Sequence, residues 1–89
     1  MLVHAGVLAT IADHTAGGAA STLIFAGKFV LTAEFKINLL RPAKGEQIVC
    51  GSFVLKNGKT LIVADSYVYA LLSKRKKLVA RATVTLSVQ

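Results

Sequence analysis

The chain has 89 residues, of which 54% are hydrophobic and 17% are charged. This length suits one domain with a modest core, and so apolar a composition excludes intrinsic disorder. It also predicts more apolar surface than so short a chain can bury alone, which favours an oligomer. The formal net charge is +7, and this excess favours anionic partners such as a phosphate-bearing cofactor or nucleic acid.

The sequence carries no sign of membrane insertion or export. No apolar run is long and charge-free enough to span a bilayer, and the opening "MLVHAG" lacks the basic region of a signal peptide. The single cysteine, Cys50, cannot form an internal disulfide, so a reducing compartment is expected. These observations predict a cytoplasmic protein.

Residues 3–25 follow helical spacing and predict one helix. Small residues dominate nearly every side of it, which favours a helix wrapped closely by other elements. Gly17 and Gly18 each cost about 1 kcal/mol relative to alanine, and we expect them to allow neighbouring backbone to approach. Gly27 is the expected C-terminal stop.

After Gly27 the hydrophobic period changes to two, which predicts strands at 29–39, 48–56, 60–72 and 78–88. Phe29 and Leu31 begin the apolar side of the first strand, and Leu78 begins that of the fourth. Asn57-Gly58 predicts a hairpin with a type I′ turn. The third strand is apolar on both sides and is expected to be central. The predicted fold class is α+β, with a curved antiparallel sheet wrapped around one long helix.

Asp13 is a carboxylate in the middle of this apolar helix. Such a group is costly to bury unless it is paired, hydrogen-bonded or used chemically. His4 precedes it by about 13 Å along the helix axis and about half a turn, so the two cannot form a dyad within one chain. A two-fold axis could bring His4 of one subunit to Asp13 of another. His14 is expected to face away from Asp13 and to be structural.

The stretches "HAGVLATIAD", "TAEFKINLLRPAKGE", "LKNGKTLIVADSYVY" and "KLVARATVT" resemble the hotdog-fold acyl-CoA thioesterases. The most similar branch contains the phenylacetate-pathway and human medium/long-chain enzymes. The resemblance covers nearly the whole chain and implies hydrolysis of a fatty or aromatic acyl-CoA in a homodimer or homotetramer. It also implies one hotdog thioesterase domain over 1–89 that lacks the family's N-terminal helix and strand. Ala5 replaces the first glycine of the family's usual His-Gly-Gly.

The resemblance implies a catalytic site at a subunit interface. The backbone N–H of Ala5 would polarise the thioester carbonyl at the helix N-terminus. Asp13 of the other subunit would act as nucleophile or as general base on water. His4 would position the helix entry or the carbonyl, Gly6 completes the opening motif, and Thr32 would orient the water. Purely structural alternatives stay open: backbone hydrogen bonds for Asp13 and His4, and strand propensity for Thr32.

A coenzyme A thioester is the expected substrate, and its phosphates need cations. Arg41, Lys59 with Thr60, and the basic turn at 74–77 are the candidates. No further cofactor is expected. Two histidines and one cysteine are too few and too scattered for a zinc site.

Two other functions compete with this prediction. The first is an inactive hotdog protein that binds acyl-CoA or only assembles. The second is nucleic-acid binding through the basic hairpins, which is ranked last because aromatic residues are not interleaved with the basic ones.

Overall fold

One helix lies across a four-stranded antiparallel sheet in the computed structural model, which describes residues 2–3, 5–24 and 27–89. The elements are, in chain order, β1 (Leu2–Val3), α1 (Ala5–Ser21), β2 (Val30–Leu39), β3 (Ala43–Lys44), β4 (Gln47–Asn57), β5 (Leu61–Leu72) and β6 (Arg75–Val88). The sheet order is β2-β6-β5-β4, while β1 pairs with β3. The predicted α+β fold and the central position of the third long strand are confirmed.

The core lies between one stripe of α1 and the inner side of β5 and β6. The stripe has the i, i+4 spacing of a helix face and consists of Leu8, Ala12, Ala16 and Ala20. Three of these four residues are alanines, so the helix can lie close to the sheet. The other sides of α1 are covered less completely, and Val7 is 48% exposed. A Cβ on Gly17 or Gly18 would meet no atom within 4 Å, so the expected close backbone approach is not found.

The helix ends at Ser21, before the predicted stop. The Ser21 hydroxyl donates to the carbonyl of Gly17 at 2.8 Å, and the Thr22 hydroxyl donates to that of Ala19 at 2.8 Å. Such local bonds compete with helix continuation. Gly27 has a φ of +85°, but it lies in the loop before β2 and does not cap the helix. Residue 25, the predicted helix end, lies outside the described residues.

A short ladder precedes the helix and was not expected from the sequence. Leu2 pairs with Lys44 and Val3 pairs with Ala43, so Val3 is in a strand and not in the predicted helix. Two-residue strands are too short to show a period-two pattern. The ladder joins the start of α1 to the loop that follows β2.

A β-bulge interrupts β2. The register against β6 shifts between Thr32 and Glu34, leaving Ala33 as the extra residue. Residues on both sides of the bulge, Thr32 and Phe35, therefore pair with buried core residues of β6. The predicted unbroken alternation is wrong, and Leu31 is 54% exposed.

A second bulge changes which side chains of β6 face inward. Val68 pairs with Ala80, but Tyr69 pairs with Leu78, so Val79 is the extra residue. Val79 is buried and Leu78 is only half-buried, which corrects the predicted inward position of Leu78. Before the bulge, Arg75 and Lys77 share the side of Val79 and line one cleft with it.

The type I′ turn lies in a different hairpin from the predicted one. That turn needs positive φ at both central residues. Ser73 and Lys74, between β5 and β6, have φ values of 48° and 68°. Gly58 does not have a positive φ, and its N–H donates to the carbonyl of Leu61 at 2.9 Å. Because Asn57 pairs with Ile62, the turn from β4 to β5 centres on Lys59 and Thr60 and not on Asn57 and Gly58.

Candidate functional site

Asp13 and Thr32 meet where α1 crosses the first half of β2. The Thr32 hydroxyl donates a 2.7 Å hydrogen bond to Asp13 Oδ1. The bulge at Ala33 gives Thr32 its place on the helix side of the sheet. Within the described residues no backbone group bonds to the Asp13 carboxylate, so its hydrogen-bond partner is a side chain of another element. The structure thus brings these two predicted site residues together.

The pair borders a surface cleft of about 380 Å³. The other lining residues are His14, Gly17, Gly18, Ser21, Val30 and Leu86. The glycines have no side chains, so there is open space beside the carboxylate. His14 was expected to face away but is exposed on this cleft. Consecutive helix residues differ by only about 100° in direction, so His14 and Asp13 can border the same groove.

Two serines anchor the helix one residue before Asp13. The buried Ser66 hydroxyl donates to the carbonyl of Ala12 at 2.8 Å, and Ser52 Oγ lies 2.6 Å from Ser66 Oγ. Because the proton of Ser66 points to Ala12, Ser52 is the donor of the second bond. Sequence reasoning did not select Ser66, although a hydroxyl among the small apolar residues of the inner side of β5 was a usable signal.

The predicted oxyanion donor lies at the N-terminus of the helix, whereas Asp13 lies in its middle. Helix α1 begins at Ala5, and the Gly6 carbonyl accepts the Thr10 hydroxyl at 2.9 Å. Asp13 follows Ala5 by eight residues, which is about 12 Å along the axis. One chain therefore does not bring the Ala5 N–H and the Asp13 carboxylate together. His4 lies outside the described residues.

The three predicted coenzyme A contacts lie apart. Arg41 shares a cleft with three other cations, Lys44, Arg75 and Lys77. Lys59 lines a different groove next to Val88, and the carbonyl of Thr60 accepts the Val88 N–H at 2.9 Å. The two regions flank opposite ends of the twelve-residue strand β5, roughly 36 Å apart at strand rise.

A further carboxylate, Asp65, lies on the side of the sheet away from the helix. It accepts hydrogen bonds from Thr83 at 3.0 Å and from Tyr67 and Arg81 at 3.4 Å. Asp65 is 9% exposed, and these partners balance its charge and polarity. The cluster stabilises the sheet and is separate from the Asp13 cleft.

The part of the chain that the structure describes lacks two features, a cluster of metal ligands and a helix that could span a membrane. No three His, Cys, Asp or Glu residues there are grouped closely enough to hold a metal ion. No helix among residues 2–3, 5–24 and 27–89 is long and apolar enough to cross a bilayer.

Comparison with known proteins gives the family. The model of the thioesterase superfamily matches residues 2–74. A thioesterase family protein from Silicibacter pomeroyi is 40% identical over 97% of this chain and 63% of its own, with a TM-score of 0.95. A Bacillus halodurans protein solved with CoA is 26% identical over 99% of this chain and 60% of its own, with a TM-score of 0.92.

A thioesterase from Haemophilus influenzae has the same fold, with 24% identity, a TM-score of 0.90, and coverage of 99% of this chain and 59% of its own. The chain thus spans less than two thirds of the length of each of these three solved relatives. No curated protein matches it. The family model covers most of the chain, and the helix and curved sheet agree with the solved relatives; the chain therefore belongs to the thioesterase superfamily and has the hotdog fold.

Proposed function

We propose that this chain is a subunit of an acyl-CoA thioesterase that hydrolyses a fatty or aromatic acyl-CoA, with Asp13 as its carboxylate. The observation that carries the proposal is the hydrogen bond from Thr32 to Asp13 beside an open cleft. The CoA bound to the Bacillus halodurans relative supports the choice of substrate class.

The geometry around Asp13 suits activation of water. Thr32 fixes Oδ1, and Oδ2 accepts no hydrogen bond within the described residues, so Oδ2 can take a proton. In the proposed reaction, water attacks the thioester carbon while the carboxylate accepts the water's proton. The C–S bond then breaks, and the leaving thiolate takes up the proton held by the carboxylate, giving a carboxylic acid and the free thiol and restoring Asp13. In the nucleophilic version, Asp13 attacks the carbonyl carbon and the C–S bond breaks, which releases the thiolate and leaves an anhydride on Asp13. Water then hydrolyses this anhydride, which frees the carboxylic acid and restores Asp13.

The oxyanion donor of the proposed site comes from a second subunit. The Ala5 N–H and Asp13 are about 12 Å apart along one helix, which is too far for both to act on one thioester group. A two-fold axis pairs each Asp13 with the helix N-terminus of the other copy. Strand β2, at one edge of the sheet and next to Asp13, is the proposed location of this axis.

Exposed apolar side chains support assembly. Leu39 of β2 and Phe53 and Leu55 of β4 are 54–61% exposed. Burial of such surface is the main favourable term in most associations. A homodimer or homotetramer would cover part of it and would give the cleft a second wall.

Mixing two inactive variants tests this function and its two-subunit site. His4→Ala and Asp13→Asn each damage both sites of a homodimer. A mixed dimer has one site with both changes and one with neither. After subunit exchange of equal amounts, we expect thiol release from acyl-CoA to recover to about a quarter of the wild-type rate. No recovery, with exchange verified by mass spectrometry, would contradict the shared site. A folded wild type that binds acyl-CoA without turnover would favour the inactive alternative.

A further inference from the structure

A fully buried hydroxyl lies beneath the middle of α1. It belongs to Ser66 of β5, a strand whose other buried residues on the helix side are apolar: Ile62, Ala64, Val68 and Ala70. Burying a hydroxyl costs free energy unless it is hydrogen-bonded. Packing alone does not require it here, because the residue that pairs with Ser66 on β6 is an alanine, Ala82. The hydroxyl of Ser66 therefore has a role other than filling space.

The two hydrogen bonds of Ser66 give its hydroxyl one direction. The hydroxyl donates to the Ala12 carbonyl at 2.8 Å and accepts the proton of Ser52, with 2.6 Å between the two oxygens. Ser52 is also the residue that pairs with Ser66 in the ladder between β4 and β5, so the paired strands hold both side chains in place. Since a serine hydroxyl has one proton, the donor of Ser66 is committed to the helix.

The acceptor of this proton belongs to the peptide group that carries Asp13. A peptide group is planar, so the Ala12 carbonyl, the Asp13 N–H and the Asp13 Cα lie in one plane. The bond between the Ala12 oxygen and the Asp13 Cα passes through no torsion except the stiff peptide bond. A donor that fixes the Ala12 oxygen therefore also restrains the Cα of Asp13.

Asp13 is thus held from two sides of the sheet. Thr32 of the edge strand β2 donates to the carboxylate, and Ser66 of the central strand β5 donates to the peptide oxygen before it. The buried alanines of α1 contribute apolar burial, which is non-directional and resists rotation of the helix only weakly. A hydrogen bond has a preferred angle, so the bond from Ser66 can define the rotation of α1 at Ala12.

We propose that Ser66 is a positioning residue for hydrolysis, an inference that rests on the proposed function of Asp13. Its hydroxyl holds α1 so that the carboxylate of Asp13 meets both Thr32 and the attacking water. Ser66 is buried and does not line the cleft beside Asp13, so it does not touch the substrate. Loss of its hydroxyl should therefore slow the chemical step and leave substrate binding nearly unchanged.

Ile62→Val is the matched control for a general loss of stability. Ile62 is fully buried on the same side of β5, four residues before Ser66. Its shortening removes buried apolar volume but no donor to the helix. Ser66→Cys is the graded variant, because a thiol is a weaker donor than a hydroxyl. Together with Ser66→Ala, these variants separate loss of the donor from loss of stability.

The kinetic test is steady-state hydrolysis of acyl-CoA by the full chain, at a temperature where each variant is fully folded. We expect Ser66→Ala to lower kcat by about tenfold and to change KM by less than about twofold. Ser66→Cys should lower kcat by about threefold, and Ile62→Val should keep it within about twofold of wild type. Equal kcat in Ser66→Ala and Ile62→Val would overturn the proposal. If Ser66→Ala does not fold, wild-type kcat in Ser66→Cys would overturn it.

Crystal structures of the same variants test the proposal without turnover. We expect the distance from Thr32 Oγ1 to Asp13 Oδ1, 2.7 Å here, to increase by about 0.5 Å or more in Ser66→Ala and to stay the same in Ile62→Val. An unchanged distance in Ser66→Ala would overturn the positioning role. A longer distance in that variant, together with a wild type that hydrolyses no acyl-CoA, would contradict the proposed function and support the effect of Ser66 on Asp13.

Discussion

Thr32 Oγ1 lies 2.7 Å from Asp13 Oδ1 and joins β2 to the middle of α1 across nineteen residues of sequence. The bond fixes one oxygen of the carboxylate at the border of an open cleft. A hydroxyl bonded to a carboxylate in this way orients the group without neutralising it. The role that we propose for Thr32 is therefore to position the carboxylate of the reaction.

Replacing Thr32 by valine should lower kcat/KM for acyl-CoA hydrolysis by about tenfold, because the carboxylate loses the donor that orients it, and tenfold corresponds to a loss of roughly 1.4 kcal/mol in transition-state stabilisation. Serine retains the hydroxyl and should stay within about threefold of wild type. Since Thr32 is exposed, the free energy of unfolding should change by less than about 0.5 kcal/mol in either variant. Steady-state kinetics with urea unfolding checks both statements. Equal activity of the valine and serine variants would show that the hydroxyl does not position Asp13.

The buried Ser66 hydroxyl should contribute to stability. Ser66→Ala removes the donor to the Ala12 carbonyl and the acceptor for Ser52. We expect a loss of about 1–3 kcal/mol in the free energy of unfolding, measured by urea denaturation. Ser52→Ala should cost less, because Ser52 is only half-buried. A double-mutant cycle should give a coupling above about 0.5 kcal/mol. Additive losses would show that the two hydroxyls act independently.

The Asp65 cluster should affect stability but not catalysis. Asp65→Asn weakens the bonds from Arg81 and Thr83 on the outer side of the sheet. We expect it to lower the free energy of unfolding by about 1–2 kcal/mol and to leave kcat/KM unchanged. Glu46→Gln, an exposed change of the same kind outside β2, is the control and should stay within about 0.5 kcal/mol. If kcat/KM fell although the Asp65→Asn variant was fully folded, Asp65 would contribute to the catalytic site and the prediction would be wrong.

Residues that adopt positive φ more readily should stabilise the turn between β5 and β6. Ser73 and Lys74 have the positive φ values of a type I′ turn, which asparagine and glycine adopt more readily. Ser73→Asn with Lys74→Gly should raise the free energy of unfolding by about 0.5–1 kcal/mol. Lys59→Gly, in the other hairpin, should not raise it. Thermal unfolding of both variants measures these changes in stability. A gain in stability in Lys59→Gly alone would show that the type I′ turn lies between β4 and β5 instead.

The long elements could be predicted because their side-chain periods are sustained. The residues of α1 repeat at i, i+4, and β5 is apolar on both sides because it is central in the sheet. The Asn57-Gly58 pair marked a hairpin correctly, but the surrounding strands determined its turn geometry. The preference of an Asn-Gly pair for a type I′ turn therefore did not predict where that turn lies in the chain.

The bulges could not be predicted, because one extra residue does not change composition and reverses the alternation beyond it. The one at Ala33 moves Thr32 to the side of the helix. The bulge at Val79 places Arg75 and Lys77 on the side of β6 where they line a cleft together with Arg41. Asp13 and Thr32 could be selected from the resemblance. The cleft with four cations could not be predicted, because its position depends on how β6 pairs with β5.

The most direct test of the account is thiol release from a panel of short, medium, long and aromatic acyl-CoAs, with Asp13→Asn beside wild type. The amide is nearly isosteric and can still accept the Thr32 hydroxyl, so folding should be retained. We expect wild type to turn over at least one member, the variant to be slower by about 10²–10⁴-fold, and Glu46→Gln, an exposed change outside β2, to keep wild-type activity. Equal turnover by wild type and Asp13→Asn would contradict the account.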